Sequence, residues 1–223
     1  METWQKAALV GVGAGAGLFA LSAFAKPQNG NGPQPPPPPL PRQPAPMTNP
    51  SFEDGLNGWS AKIYVNHPSQ ATNSPNHLIE TSSQYATSGT KSLHMLARKV
   101  QENSRQVRNV YCEAWQDMDL NTANVPGSLL SQGNGHLLID VHGVMDFDAV
   151  EAPWGGYYAG LLIQAGNQVW HKVLRGTYNE TVAFDLGSLS GPTKLWFWAG
   201  LWDQEPQGST AEMWVDNIGV TLV

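Results

Sequence analysis

The stretch Leu195-Trp196-Phe197-Trp198-Ala199-Gly200-Leu201-Trp202 decides how the chain reads. Side chains alternate across a β-strand with period two. Leu195, Phe197, Ala199 and Leu201 therefore share one face, and Trp196, Trp198 and Trp202 the other. The first set is an ordinary core face. The second is a row of large rings, each with one polar N–H. Such a row is either covered by a further layer or displayed to something outside the chain.

Similar alternation recurs at Val107–Trp115, His136–His142, Tyr158–Gln164, Gln168–Leu174, Thr181–Leu186 and Ala211–Val223. Clusters of Gly, Asn, Pro and Ser separate these runs, and no window carries a convincing amphipathic helix. Many short strands joined by Gly/Pro-rich turns predict an all-β, antiparallel sandwich or barrel over residues 49–223. Applied strand by strand, the alternation puts Val110, Cys112 and Ala114 in the core and leaves Tyr111, Glu113 and Trp115 opposite. It does the same for Leu137, Ile139 and Val141, leaving His136, Asp140 and His142 opposite. The reading gathers Tyr111, Glu113, Trp115, Asp140, His142, Trp196, Trp198 and Trp202 onto one non-core face.

Composition bounds the rest. The 223 residues include nine Trp, 23 Gly and 17 Pro, and the net charge is −6. An acidic chain without a basic cluster is a poor nucleic-acid binder. With one cysteine, Cys112, no intrachain disulfide forms, and a domain this long needs none in order to fold. Residues 1–25 hold an unbroken small-and-apolar run from Ala7, ending Ala23-Phe24-Ala25. The ending has the A-x-A form of a signal-peptide cleavage site. The run would also measure about 28 Å as a helix, close to the roughly 30 Å of membrane hydrocarbon. Signal peptide and membrane anchor both stand. Residues 26–48 contain ten prolines, which favours an extended polyproline linker or stalk. Export, or display at a surface, is the expectation for the domain that follows.

The domain opens Asn49-Pro50-Ser51-Phe52-Glu53-Asp54-Gly55-Leu56-Asn57-Gly58-Trp59. It continues with Ser88-Gly89-Thr90-Lys91-Ser92-Leu93 and closes Val215-Asp216-Asn217-Ile218-Gly219-Val220. In this order the segments resemble jelly-roll carbohydrate-binding modules of the galactose-binding-domain-like group. The resemblance implies a jelly-roll sandwich and a structural calcium ion. The calcium would be held by Glu53, a main-chain carbonyl near Lys91, and Asp216. Calcium takes carboxylate and carbonyl oxygens; the alternative is that both carboxylates simply hydrogen-bond turn amides.

An aromatic face with interleaved carboxylates and imidazoles suits sugars. Rings pack on the C–H face of a pyranose, and polar side chains bind its hydroxyls. The one dense carboxylate cluster, Asp146-Phe147-Asp148-Ala149-Val150-Glu151, is similar to the E-x-D-x-x-E signature of jelly-roll glucanases but begins with Asp. A loop is the favoured reading there, so no enzymatic activity is expected. The expected function is non-catalytic binding of a polysaccharide or glycan. The alternative is a structural component of a virion or cell envelope, with the aromatic face meeting another copy or another subunit.

Overall fold

Alternation becomes two antiparallel sheets. The structure is a computed structural model that describes residues 41–66, 69–100, 107–119, 135–149, 159–189 and 192–222. The apolar segment 1–25 and most of the proline run lie outside the described residues. The strands are β1 (Gln43–Pro44), β2 (Ser60–Val65), β3 (Gln70–Ala71), β4 (His77–Ser82), β5 (Ser92–Arg98) and β6 (Val110–Asp119), followed by β7 (Gly135–Met145), β8 (Gly160–Ala165), β9 (Gln168–Lys172), β10 (Gly176–Asp185), β11 (Pro192–Leu201) and β12 (Thr210–Leu222). Among the described residues the only helix is a 3-10 turn at Leu186–Ser188. Sheet one runs β10-β7-β12-β5-β4, with β1 added alongside β12; sheet two runs β3-β2-β6-β11-β8-β9. All strand pairs are antiparallel. The protein is an antiparallel β-sandwich of jelly-roll type.

The core lies between the sheets and is built as the alternation predicts. Leu195, Phe197, Ala199 and Leu201 are fully buried, and so are Val110, Cys112 and Ala114. Sheet one answers with Leu93, Met95, Leu137, Ile139, Met213 and Val215. The Cys112 thiol, on β6 of sheet two, donates to the Leu96 carbonyl on β5 of sheet one at 3.0 Å. Burial pushes its pKa up strongly, so it is an inert thiol set in the seam.

The opening motif closes one end. Asn49 takes a left-handed backbone (φ 52°). Its side chain donates to the Gly55 carbonyl at 2.8 Å and accepts from the Asp54 N–H at 3.1 Å. This turn drives Phe52 inward, onto Trp59 at 5.0 Å, which in turn lies 5.4 Å from Phe197.

Residues 42–48 are a correction to the linker read from composition. Gln43 and Pro44 pair with Val220 and Gly219, Ala45 is buried, and the Thr48 N–H donates to Gln116 Oε1 at 2.8 Å. Proline is tolerated here because β1 is a two-residue edge piece. The close approach needs a glycine opposite: a Cβ on Gly219 would stand 2.6 Å from the Gln43 carbonyl. Among the described residues the packed body therefore reaches back beyond Asn49 to Arg42.

Candidate functional site

The outer face of sheet two carries the aromatic strip. Strand register lays it out in rows. One row reads Ser60 (β2), Trp115 (β6), Trp196 (β11), Gln164 (β8). The next reads Lys62, Glu113, Trp198, Leu162, His171. A third reads Tyr64, Tyr111, Gly200, Gly160. Trp202 follows the end of β11. Rings on neighbouring strands touch: Tyr64 stacks on Tyr111 at 4.8 Å, and Tyr111 lies 6.0 Å from Trp198 and 6.1 Å from Trp202.

Exposure sorts these rings. Tyr111, Trp115, Trp196 and Trp202 are half-buried, while Trp198 is only 8% exposed. Trp198 is on the predicted face but lies flat over Gly200, where a Cβ would stand 2.5 Å from the indole. It forms the floor of the strip, not its surface. Two ammonium groups lie near the Trp115 ring, Lys62 Nζ at 5.4 Å and Lys194 Nζ at 5.5 Å from its centroid. Partial burial, with Glu113 and Tyr64 adding to it, pushes the Tyr111 phenol up to about 12. It stays protonated, able to donate, at ordinary pH. The Trp202 main chain is fixed from beneath. The buried Lys99 ammonium donates to the carbonyls of Trp202, Asp203 and Glu205 at 2.7, 3.0 and 2.7 Å, and Glu205 accepts the Trp202 N–H at 2.7 Å.

Asp140 and His142 do not join this strip, which corrects the single face expected for all eight residues. They lie on the outside of β7, in sheet one. Period-two alternation separates inside from outside along a strand; it does not say which sheet a strand enters. Asp140 instead anchors the N-terminal arm. It accepts from Arg42 Nη1 at 2.9 Å, Thr181 Oγ1 at 2.8 Å, Thr87 Oγ1 at 2.9 Å and Asn217 Nδ2 at 2.8 Å. Burial alone would raise its pKa, but these donors bring it below the ordinary value.

Glu53 and Asp216 each hold part of one loop, residues 83–91. Glu53 accepts from the Thr90 N–H, the Lys91 N–H and the Thr90 hydroxyl, all at 2.8 Å. Its main-chain carbonyl accepts from Lys91 Nζ at 2.7 Å. Asp216 Oδ2 accepts from the Thr87 and Ser88 N–H groups, both at 2.6 Å. The other Asp216 oxygen, Oδ1, is buried with no hydrogen-bond partner, so the calcium reading stays an expectation. Gly89 permits the arrangement, with φ 73° and its α-carbon against the Glu53 carboxylate. Among the described residues no group of three or more His, Cys, Asp or Glu is placed to hold a metal. Asp146 and Asp148 likewise accept backbone N–H groups, from Thr210 at 2.6 Å and Arg175 at 2.7 Å; Glu151 lies outside the described residues.

Sequence reasoning missed a second aromatic group, on sheet one. Trp214 stacks on His94 at 4.5 Å and meets the edge of Tyr85 at 4.8 Å. Tyr85 stacks on His142 at 3.6 Å. Glu212, Trp214 and Asp216 alternate with the core residues Met213 and Val215, so the signal for Trp214 was present. Tyr85 comes from a loop and carried no periodic signal.

Fold and surface thus define a two-sheet sandwich with an aromatic outer face. Neither protein-family models nor curated proteins match the chain. Solved structures similar to it include a cyclase from Fischerella sp. TAU, at 14% identity and TM-score 0.40, covering 79% of this chain and 95% of that one. A second is the enzymatically active domain of bacteriophage CBA120 tailspike protein 4, at 10% identity and TM-score 0.39; the match covers 81% of this chain but only 22% of the tailspike chain. A third is the CBM22-1 xylan-binding domain of Paenibacillus barcinonensis Xyn10C, at 14% identity and TM-score 0.29, covering 78% and 91%.

Proposed function

We propose that the protein binds polysaccharide or glycan chains without catalysing a reaction on them, using the outer face of sheet two. The observation that carries this reading is the pairing of Trp115 with Trp196 in register on adjacent strands, both half-buried. Aromatic faces held at strand spacing offer an extended chain successive stacking surfaces. Gln164, Lys62, Lys194, Glu113 and the protonated Tyr111 surround them with hydrogen-bonding groups for sugar hydroxyls. The strip is also rigid, being formed largely from the middle of strands and backed by a filled core. Side chains already ordered lose less entropy on binding. The composition of the N-terminal segment supports display outside the cell as part of the same proposal.

Affinity electrophoresis of the full chain through gels containing xylan, β-glucan or mannan, extended by a glycan array, tests the reading. Wild-type protein is expected to be retarded by at least one polymer. Trp196→Ala and Trp115→Ala should each weaken that retention severalfold, since one stacked ring is worth on the order of 1 kcal/mol, with unchanged circular dichroism. Retention unaffected by both substitutions, or no glycan bound by the wild type, would overturn the proposal.

A further inference from the structure

A groove of about 470 Å³ lies on the other side of the molecule, on the outer face of sheet one. Its floor is Asp140 and His142 on β7; its walls are Asn179 to Thr181 on β10 and Tyr85 to Thr87 in the loop between β4 and β5. We propose that this groove is a second binding site, separate from the aromatic strip, for a neutral saccharide of one or two rings.

The loop wall is built rather than incidental. Tyr85 has a left-handed backbone (φ 56°), a costly state for a bulky residue. Such outliers persist where the surroundings over-determine them, and they cluster at binding sites. Here the surroundings are explicit. Asp216 grips the amides of Thr87 and Ser88, Glu53 grips those of Thr90 and Lys91, and Ser92 Oγ donates to the Gln84 carbonyl at 2.7 Å. The two carboxylates at the ends of the domain thus fix the loop that presents the Tyr85 ring. One face of that ring lies on His142, 10° from parallel. Tyr85 nevertheless remains 45% exposed.

The lining chemistry selects the ligand. Asp140 is saturated by four donors, one of them the Arg42 guanidinium. Glu180 is paired with Lys172 at 2.8 Å. The carboxylates in the lining are therefore already compensated, and the groove has no unpaired ion to attract a charged ligand. What it offers is one exposed aromatic ring and the exposed Asn179 side chain; His142 backs that ring from below, with its Nδ1 buried. Burial lowers the pKa of this imidazole, against an opposing pull from Glu212, so it adds no charge beneath the Tyr85 ring. A ring with an apolar C–H face and several hydroxyls matches this set. The volume lies within the roughly 300–1,000 Å³ of small-ligand sites. The assignment does not rest on the strip: the two faces point away from each other.

Amide chemical shifts of the full chain, titrated to millimolar cellobiose, xylobiose, lactose and galactose, test this site. At least one sugar is expected to move the amides of Ala86, Thr87, Asn179 and Thr181. Tyr85→Ala should weaken that response about tenfold, equivalent to about 1.4 kcal/mol, whereas Trp196→Ala should leave it unchanged. Since Tyr85→Ala relieves backbone strain and alters the loop, Asn179→Ala provides an independent variant, also expected to weaken binding. The proposal is overturned if none of the four sugars moves these amides. It also fails if the shifts map only to β6 and β11, if both groove variants bind as wild type, or if a charged sugar such as galacturonate or glucosamine binds more tightly than its neutral counterpart.

Discussion

Trp196 and Trp198 are two residues apart on one strand face, yet they do different work. Trp196 is half-buried beside Trp115, while Trp198 is 8% exposed beneath its neighbours. Alternation placed both on the outer face and could not rank their exposure. That ranking depends on Gly200, whose missing side chain lets the Trp198 indole lie down along the strand. Removing a well-packed Trp costs about 3–5 kcal/mol in a core. Trp198→Ala, with one side covered only by other rings, should cost about 3 kcal/mol. Trp196→Ala should cost about 1 kcal/mol or less. Urea denaturation of the two variants checks the order. Equal losses would mean that Trp196 is as deeply packed as its neighbour.

Among elements, the strands with strong alternation were legible: β6, β7, β8, β9, β10, β11 and β12 all fall on predicted runs. β2, β3 and β4 were not, because they are short, partly exposed and mixed in polarity, with burial running from exposed to buried within β2. The least legible element was β1. Proline content marked residues 26–48 as linker, but composition cannot register a partner, and the partner of Gln43 and Pro44 lies at the far end of the sequence. Arg42 makes the arm matter, donating to Asp140 at 2.9 Å and to the Asn217 carbonyl. A chain lacking residues 1–40 should melt like the full protein. One lacking residues 1–47 loses this ion pair, β1 and the buried Ala45, and leaves Asp140 without its cation. A loss of about 2 kcal/mol in a domain of this size lowers Tm by about 4–8 °C. Calorimetry of the two truncations decides it; identical melts would show the arm to be dispensable.

At the scale of the whole molecule, the sequence specified a sandwich but not how strands are shared between its sheets. Asp140 and His142 have the same outward phase as Trp115 and Trp196, and only the register shows that β7 pairs with β12 and β10, away from β6 and β11. Glu53 and Asp216 were recognisable as important from the motifs, but the loop that they hold has no periodic signature. Cys112 shows what the division into two sheets makes measurable. Its sulfur bonds from one sheet to a carbonyl of the other, and it is the chain's only thiol. Because it is fully buried between the sheets, a reagent should reach it only when they part. The protein thus contains a single-site clock for its own opening. In dilute denaturant, labelling by a disulfide reagent should follow the global unfolding equilibrium, with the same denaturant dependence as tryptophan fluorescence. Labelling that ran ahead of unfolding, independent of denaturant, would show that the halves breathe apart while the rest of the fold stays intact.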